Sequence, residues 1–131
     1  LRRARAGHHA TIVAYANGLA IADAAADPVA AERFEVEVLD LRTLVPWDWE
    51  GVVRSVAKTG RCLVVHEATK SAGFGAEVAA TVADLAFHEL DAPIRRVAAL
   101  DAPTPAEPGL EAFFRPSAEK VEAALRELLA W

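Results

Sequence analysis

Four short runs of β-prone residues, apolar on both faces for most of their length, leave this chain few ways to fold. The clearest is Cys62 to His66, within Arg61-Cys-Leu-Val-Val-His-Glu-Ala68, followed by Gly73-Phe-Gly-Ala-Glu77 and a long apolar-striped segment. A strand covered on both faces reads as a continuous apolar run, the pattern of a central parallel strand. Thr11 to Tyr15 reads the same way, and Ile94 to Ala99 is a fourth strong strand despite Arg95 and Arg96. Glu35 to Leu41 starts by alternating Glu35 and Glu37 with Val36 and Val38, then turns apolar on both sides. Leu1 to Ala6 fits an edge strand, broken by Gly7-His-His9.

Helical patterns fill the gaps. Asn17-Gly18 turns into an alanine-rich helix from Leu19 to Ala26, and Asp27-Pro28 ends it or starts a second turn. Asp48 is an N-cap for a helix to Thr59, with Trp47 and Val52 at the staple positions, a stripe of Val52, Val53 and Val56, and Gly60 as C-terminal cap. Gly75 to Leu90 places Val78, Val82 and Leu85 on one face. Asp101 to Pro108 is too rich in proline for regular structure. From Ser117 to Ala130 the spacing of Val121, Ala124, Leu125, Leu128 and Leu129 is helical. Strand and helix alternate, so the expected architecture is a mostly parallel sheet with helices on both faces, joined by right-handed crossovers.

The 131 residues are enough for one domain with its own core. A formal net charge of −5 argues against nucleic-acid backbone binding, and no apolar run is long enough to span a bilayer. The single cysteine, Cys62, allows no intrachain disulfide, which fits a reducing cytoplasm. There is no methionine, even at the start, so a processed product or a fragment of a longer protein is expected.

Few residues offer chemistry. His66 and Glu67 are neighbours at a strand end and point to opposite faces, so they form no dyad. His66 is a crevice acid or base, or a histidine hydrogen-bonded beneath the following loop. Gly73 and Gly75 precede a helix, as in a phosphate cradle, but Val78 stands where a dinucleotide fingerprint needs its third glycine. Close packing explains both glycines better. His8 and His9 lack further donors for a metal, and Asp84 with His88 reads as a solvated pair four residues apart. Cys62, in mid-strand, is expected to be buried and inert. Trp47, Trp49, Phe113 and Phe114 flank loops as core lids or interface anchors. Asp91, in the connection Leu90-Asp-Ala-Pro93, and Trp131, at the end of the last helix, form the better candidate: an acid beside an aromatic, able to recruit an Arg/Lys-rich partner. The alternative is that Asp91 caps a turn and Trp131 packs on a neighbour.

Four segments in order carry a family resemblance: Val38-Leu-Asp-Leu-Arg-Thr-Leu-Val-Pro-Trp-Asp48, Val64-Val-His-Glu-Ala68, Gly73-Phe-Gly-Ala-Glu77, and Leu90-Asp-Ala-Pro93 with Asp101-Ala-Pro-Thr-Pro105. From Thr11 to Trp131 the chain resembles the C-terminal domain of the transketolase-type β subunit of 2-oxoacid dehydrogenases, the pyruvate and branched-chain E1 enzymes. The resemblance implies a three-layer α/β/α fold around a mostly parallel five-stranded mixed sheet whose first strand is antiparallel. Residues 1–131 would then be one transketolase C-terminal-like domain with another domain upstream. It implies a parent enzyme that uses thiamine diphosphate and Mg to decarboxylate a 2-oxoacid and acylate lipoyl-E2. No catalytic, cofactor or metal residue is implied in this chain, which alone should be inactive. The implied partners are an E1 alpha subunit, a second beta subunit and the E2 peripheral-subunit-binding domain, the last at Asp91 and Trp131. Tyr15-Ala-Asn-Gly18 departs from the family's Tyr-Gly by delaying the glycine, and Pro28 is also unusual. Other readings are a freestanding α/β small-molecule or regulatory module near His66 and Gly73, and the same domain from another transketolase-type enzyme such as deoxyxylulose-phosphate synthase.

Overall fold

A computed structural model describes residues 1–131, and its sheet follows directly from those runs. Five strands, β1 (Arg2–Arg5), β2 (Ala10–Ala14), β3 (Val36–Asp40), β4 (Cys62–Thr69) and β5 (Arg95–Ala99), lie in the order β1-β3-β2-β4-β5. All neighbours are parallel except β1, which runs antiparallel to β3. The fold class and the antiparallel first strand are therefore as expected.

Alternate side chains of each central strand feed two separate cores. Ile12, Val36, Val38, Leu63 and Val65 face α1 (Gly18–Ala31) and α5 (Ala118–Leu129). Val13, Leu39, Cys62 and Val64 face α2 (Trp49–Thr59) and α3 (Phe74–Leu85). Each fully buried valine or leucine contributes about 1.5–3 kcal/mol. Ala22, Ala25, Ala26 and Val29 line the inner face of α1, and these small side chains let it lie close to α5.

Local signals explain most boundaries. Asp48 accepts a hydrogen bond from the Gly51 N–H at 2.8 Å, and Gly60 closes α2 in the left-handed conformation at φ 70°. Trp47 and Val52 both pack into the α2–α3 core, as staple positions should. Ser117 caps α5, and Val121, Leu125 and Leu128 are its fully buried stripe. The delayed glycine at the end of β2 is accommodated by Ala16, which takes the turn at φ 51° and leaves Gly18 to open α1 against the Val65 carbonyl.

The structure departs from the sequence pattern at several points. Pro28 neither ends α1 nor restarts it; the helix runs through to Ala31 because Val29, one residue on, is anchored in the core. Glu37, between Val36 and Val38 in β3, is buried with them, for reasons of charge pairing given below. α3 stops at Leu85, where Ala86 leaves helical geometry (φ −129°), and a separate turn of 3-10 helix, Phe87–Glu89, follows. Leu85 is consequently exposed rather than buried, and Asp84 and His88 do not share one helix. The Pro-rich stretch gives way to a short helix that the pattern missed, α4 (Pro108–Phe114), in which Glu107 is the N-cap and Pro108 fills the first turn.

Both rims of the sheet are lined with arginine. Arg2, Arg3 and Arg5 occupy β1, and Arg95 and Arg96 open β5. Charged side chains on edge strands oppose pairing with another sheet.

Candidate functional site

The connection between α3 and β5 brings the two partner-site candidates into one groove. Leu90-Asp-Ala-Pro93 leads into β5 at the amino-terminal end of the parallel strands, where the Asp91 N–H donates to the Gly60 carbonyl at 2.8 Å. The last helix returns to the same end and leaves Trp131 there. Phe87, His88, Leu90, Asp91, Pro93 and Trp131 line a groove of about 640 Å³. Phe87 and Trp131 are each 67% exposed, large apolar surface that a monomer has little reason to present. Asp91 is exposed and lies 3.6 Å from the Arg61 guanidinium, which also donates to the Leu128 carbonyl at 2.9 Å. Arg61 thus ties the acid to the end of α5. Asp91 shapes its turn through the Gly60 carbonyl and Arg61, and its carboxylate is exposed at the groove. Phe87 was not among the candidates; its signal is the helix break at Ala86, which no periodicity marks.

At the opposite end of the strands the residues near His66 do something else. The imidazole is fully buried, stacked on the Tyr15 ring with centroids 5.6 Å apart and planes 9° from parallel. It lies beneath the β4–α3 loop, as one reading held, but neither ring nitrogen has a hydrogen-bond partner. Burial lowers its pKa below the ordinary histidine value; the Ala68 backbone only partly opposes this, and Arg96 adds to it. Gly75 makes room for the ring, and Gly73 for the Thr69 carbonyl, 2.3 Å from where a Cβ would stand, and then for the ring. A Cβ on Gly75 would stand 2.2 Å from Nε2, and one on Gly73 2.7 Å from Cε1. The close-packing explanation of these glycines holds, and the imidazole is closed to solvent. Glu67 points away, accepting from Arg115 at 2.8 Å and Asn17 at 3.2 Å. Beyond the loop, Leu44, Val45, Trp47, Phe74 and Ala76 wall a second, apolar groove of about 580 Å³, with Glu77 at its rim.

A third cluster is structural. Glu37 is buried against α2, accepting from Ser55 Oγ and Lys58 Nζ, each at 2.6 Å. Thr11 links Ser55 and Thr59 at 2.7 and 2.8 Å. Burial alone would raise the Glu37 pKa, but the Lys58 and Ser55 hydrogen bonds outweigh it and hold the carboxyl below its usual range. Cys62, fully buried, has its thiol pushed up to about 12, which removes it as a nucleophile at neutral pH.

Thiamine diphosphate with Mg needs converging oxygen donors and an open diphosphate cradle. No group of three or more His, Cys, Asp or Glu comes together here, and the Gly73–Gly75 turn is filled by His66. These residues do not fit the cofactor.

Comparison with known proteins accords with this geometry. The family described as transketolase, C-terminal domain, matches residues 1–121. The chain is 43% identical over 122 residues to 2-oxoisovalerate dehydrogenase subunit beta 2, mitochondrial, of Arabidopsis thaliana, covering 93% of this chain and 34% of that protein. It is 43% identical over 130 residues to pyruvate dehydrogenase E1 component subunit beta of Leifsonia xyli subsp. xyli, covering 99% of this chain and 38% of that protein. The chain thus spans little more than a third of these relatives. Among solved structures, a split gene transketolase described as an inactive beta4 tetramer superposes with a TM-score of 0.80 at 28% identity, over 98% of this chain and 41% of that one. A mixed five-stranded sheet with one antiparallel edge, two flanking helix layers and a family match over most of its length establish that this chain belongs to the transketolase C-terminal domain family.

Proposed function

We propose that residues 1–131 form the C-terminal domain of the β subunit of a thiamine-diphosphate-dependent 2-oxoacid dehydrogenase E1, and that the domain docks and organises rather than catalyses. The parent enzyme decarboxylates pyruvate or a branched-chain 2-oxoacid and passes the acyl group to lipoyl-E2. This domain completes contacts with an alpha subunit and a second beta subunit and holds the E2 peripheral-subunit-binding domain. Cofactor and catalytic residues reside elsewhere in that assembly. A reducing compartment such as the cytoplasm suits a domain whose one thiol is buried and unpaired.

The observation that carries the docking role is the meeting of Asp91 and Trp131 in one groove, an exposed carboxylate beside an exposed aromatic. Such a surface favours a partner that brings a lysine or arginine next to an apolar contact. The test is a calorimetric titration of an E2 peripheral-subunit-binding domain into the full-length β polypeptide. Binding that weakens as NaCl rises, and weakens about tenfold in Asp91→Ala or Trp131→Ala, is the expected result. No binding at low salt removes the docking role.

A further inference from the structure

His66 is the one buried side chain whose polar atoms the fold leaves without a hydrogen bond, and both ring nitrogens are affected. The β4–α3 loop lies over the ring. Within that loop Ala72 holds the left-handed conformation at φ 58°, a strained one for a residue with a Cβ. The loop is tied down by Ser71, whose N and Oγ donate to the Asp101 carboxylate at 2.9 and 2.6 Å. A run of ring contacts leads outward from the imidazole. His66 stacks on Tyr15, Tyr15 meets Phe74 edge-on at 6.3 Å, and Phe74 meets Trp47 edge-on at 5.7 Å. Phe74 and Trp47 wall the apolar groove of about 580 Å³, and Ala72 and Gly73 of the loop belong to the same wall.

A proton on this ring would meet no counter-charge. From β2 the ring faces the Tyr15 phenol, which burial keeps protonated beyond its ordinary range. From β5 comes Arg96, a like charge, with its Nη1 donating to the Lys70 carbonyl at 2.7 Å. Lys70 adds a second cation next to the loop. α1 and α3 present Gly18 and Gly75. The nearby acids are engaged or turned outward: Glu67 bonds Arg115 and Asn17, Glu77 stands at the groove rim, and Asp101 holds Ser71. The Tyr15 face offers a cation–π contact, which replaces neither N–H hydrogen bond of an imidazolium. Opening the loop returns both nitrogens to water and frees Ala72.

We propose that the β4–α3 loop is a proton-operated latch: it closes over a neutral His66, and protonation of His66 opens it, carrying Phe74 and the groove wall along. Burial lowers the His66 pKa in the closed state, against partial opposition from the Ala68 backbone, so the open state binds the proton more tightly. Closure is therefore fully favoured above the ordinary histidine value. Below it the open-to-closed ratio rises about tenfold per pH unit, until the closed-state value is reached. The Ser71 hydrogen bonds hold the Asp101 carboxyl below its usual range, so that tie stays ionised in the same window.

Hydrogen exchange of the full-length polypeptide carrying this domain, read by mass spectrometry over residues 70–77 and corrected for intrinsic rates, tests the latch. Between pH 7 and pH 5 protection of that segment should fall at least about tenfold, while α5 and the far-ultraviolet circular dichroism are unchanged. His66→Leu, which fills the site without titrating, should remove the pH dependence. Ser71→Ala should raise exchange at every pH and keep the slope. Nitrogen-15 NMR of the wild-type imidazole, independent of how any variant folds, should show the ring gaining its proton as the segment opens. Any one of five results overturns the proposal: protection in wild type that ignores pH, an unchanged slope in His66→Leu, wild-type exchange in Ser71→Ala, a ring that stays neutral while the segment opens, or loss of α5 protection in step with the loop.

Discussion

Gly75→Ala is the sharpest test of the packing around His66. Alanine suits a helix, and Gly75 lies in the first turn of α3 with ordinary helical φ, so on propensity alone the change should stabilise by up to about 1 kcal/mol. The structure reverses that sign. The new methyl would stand 2.2 Å from His66 Nε2 and 2.4 Å from Cδ2, well inside contact distance. The ring cannot swing aside, because Tyr15 stacks on its face and the site is closed to solvent. Overpacking of this kind destabilises by about 1–3 kcal/mol. Removing the ring should abolish the penalty. In a His66→Ala background the remaining close neighbour is Val64 Cγ1 at 3.2 Å, a tip that yields by a few tenths of an ångström. The expected coupling between the two positions is therefore about 2–3 kcal/mol, far above the few tenths expected of independent sites. Urea unfolding of wild type, both single variants and the double variant, followed by circular dichroism, measures it. If Gly75→Ala has the same effect with and without the imidazole, the account given for the glycine is wrong.

Two further perturbations probe the sheet's other side and its flanking helix. Lys58→Met strips Glu37 of its strongest partner and should destabilise by about 1–3 kcal/mol at neutral pH, less than a fully buried pair because Lys58 is 36% exposed. The Glu37 pKa is lowered in the fold, so its contribution is present above the ordinary carboxylate range and lost as pH falls through the folded value; urea midpoints at pH 7 and below 4 should converge for wild type and variant, and a pH-independent difference would contradict this. Pro28→Ala restores an N–H within α1 and should raise stability by about 1–2 kcal/mol, seen as a higher melting temperature; an unchanged or lower one would mean the proline is serving the helix rather than burdening it.

What periodicity reveals and conceals can be seen at particular residues. Runs such as Cys62–Val65 announce their strands because both faces are covered, and Asp48, Gly60 and Ser117 announce helix ends because each performs a local bond or takes a local conformation. α4 is hidden because Pro105, Pro108 and Gly109 read as breakers, whereas Pro108 sits where a helix tolerates it best. Pro28 misleads the other way, since a tertiary anchor at Val29 outweighs a local defect. The burial of Glu37 has no local mark, because its partners Ser55 and Lys58 are distant in sequence. Asp91 and Trp131 are legible as an acid before Ala-Pro and a terminal aromatic. Their convergence with Phe87 depends on where α3 stops, and that is decided by packing.

The arginines on both outer strands limit how copies of this domain can meet. Two guanidinium-bearing rims brought side by side would place like charges across a shared ladder, which disfavours lengthening the sheet by a neighbour's strand. Growth into a continuous ribbon is thereby discouraged at either border. Contacts with other chains are left to the helical flanks and the strand termini, where the apolar surface of this domain is exposed.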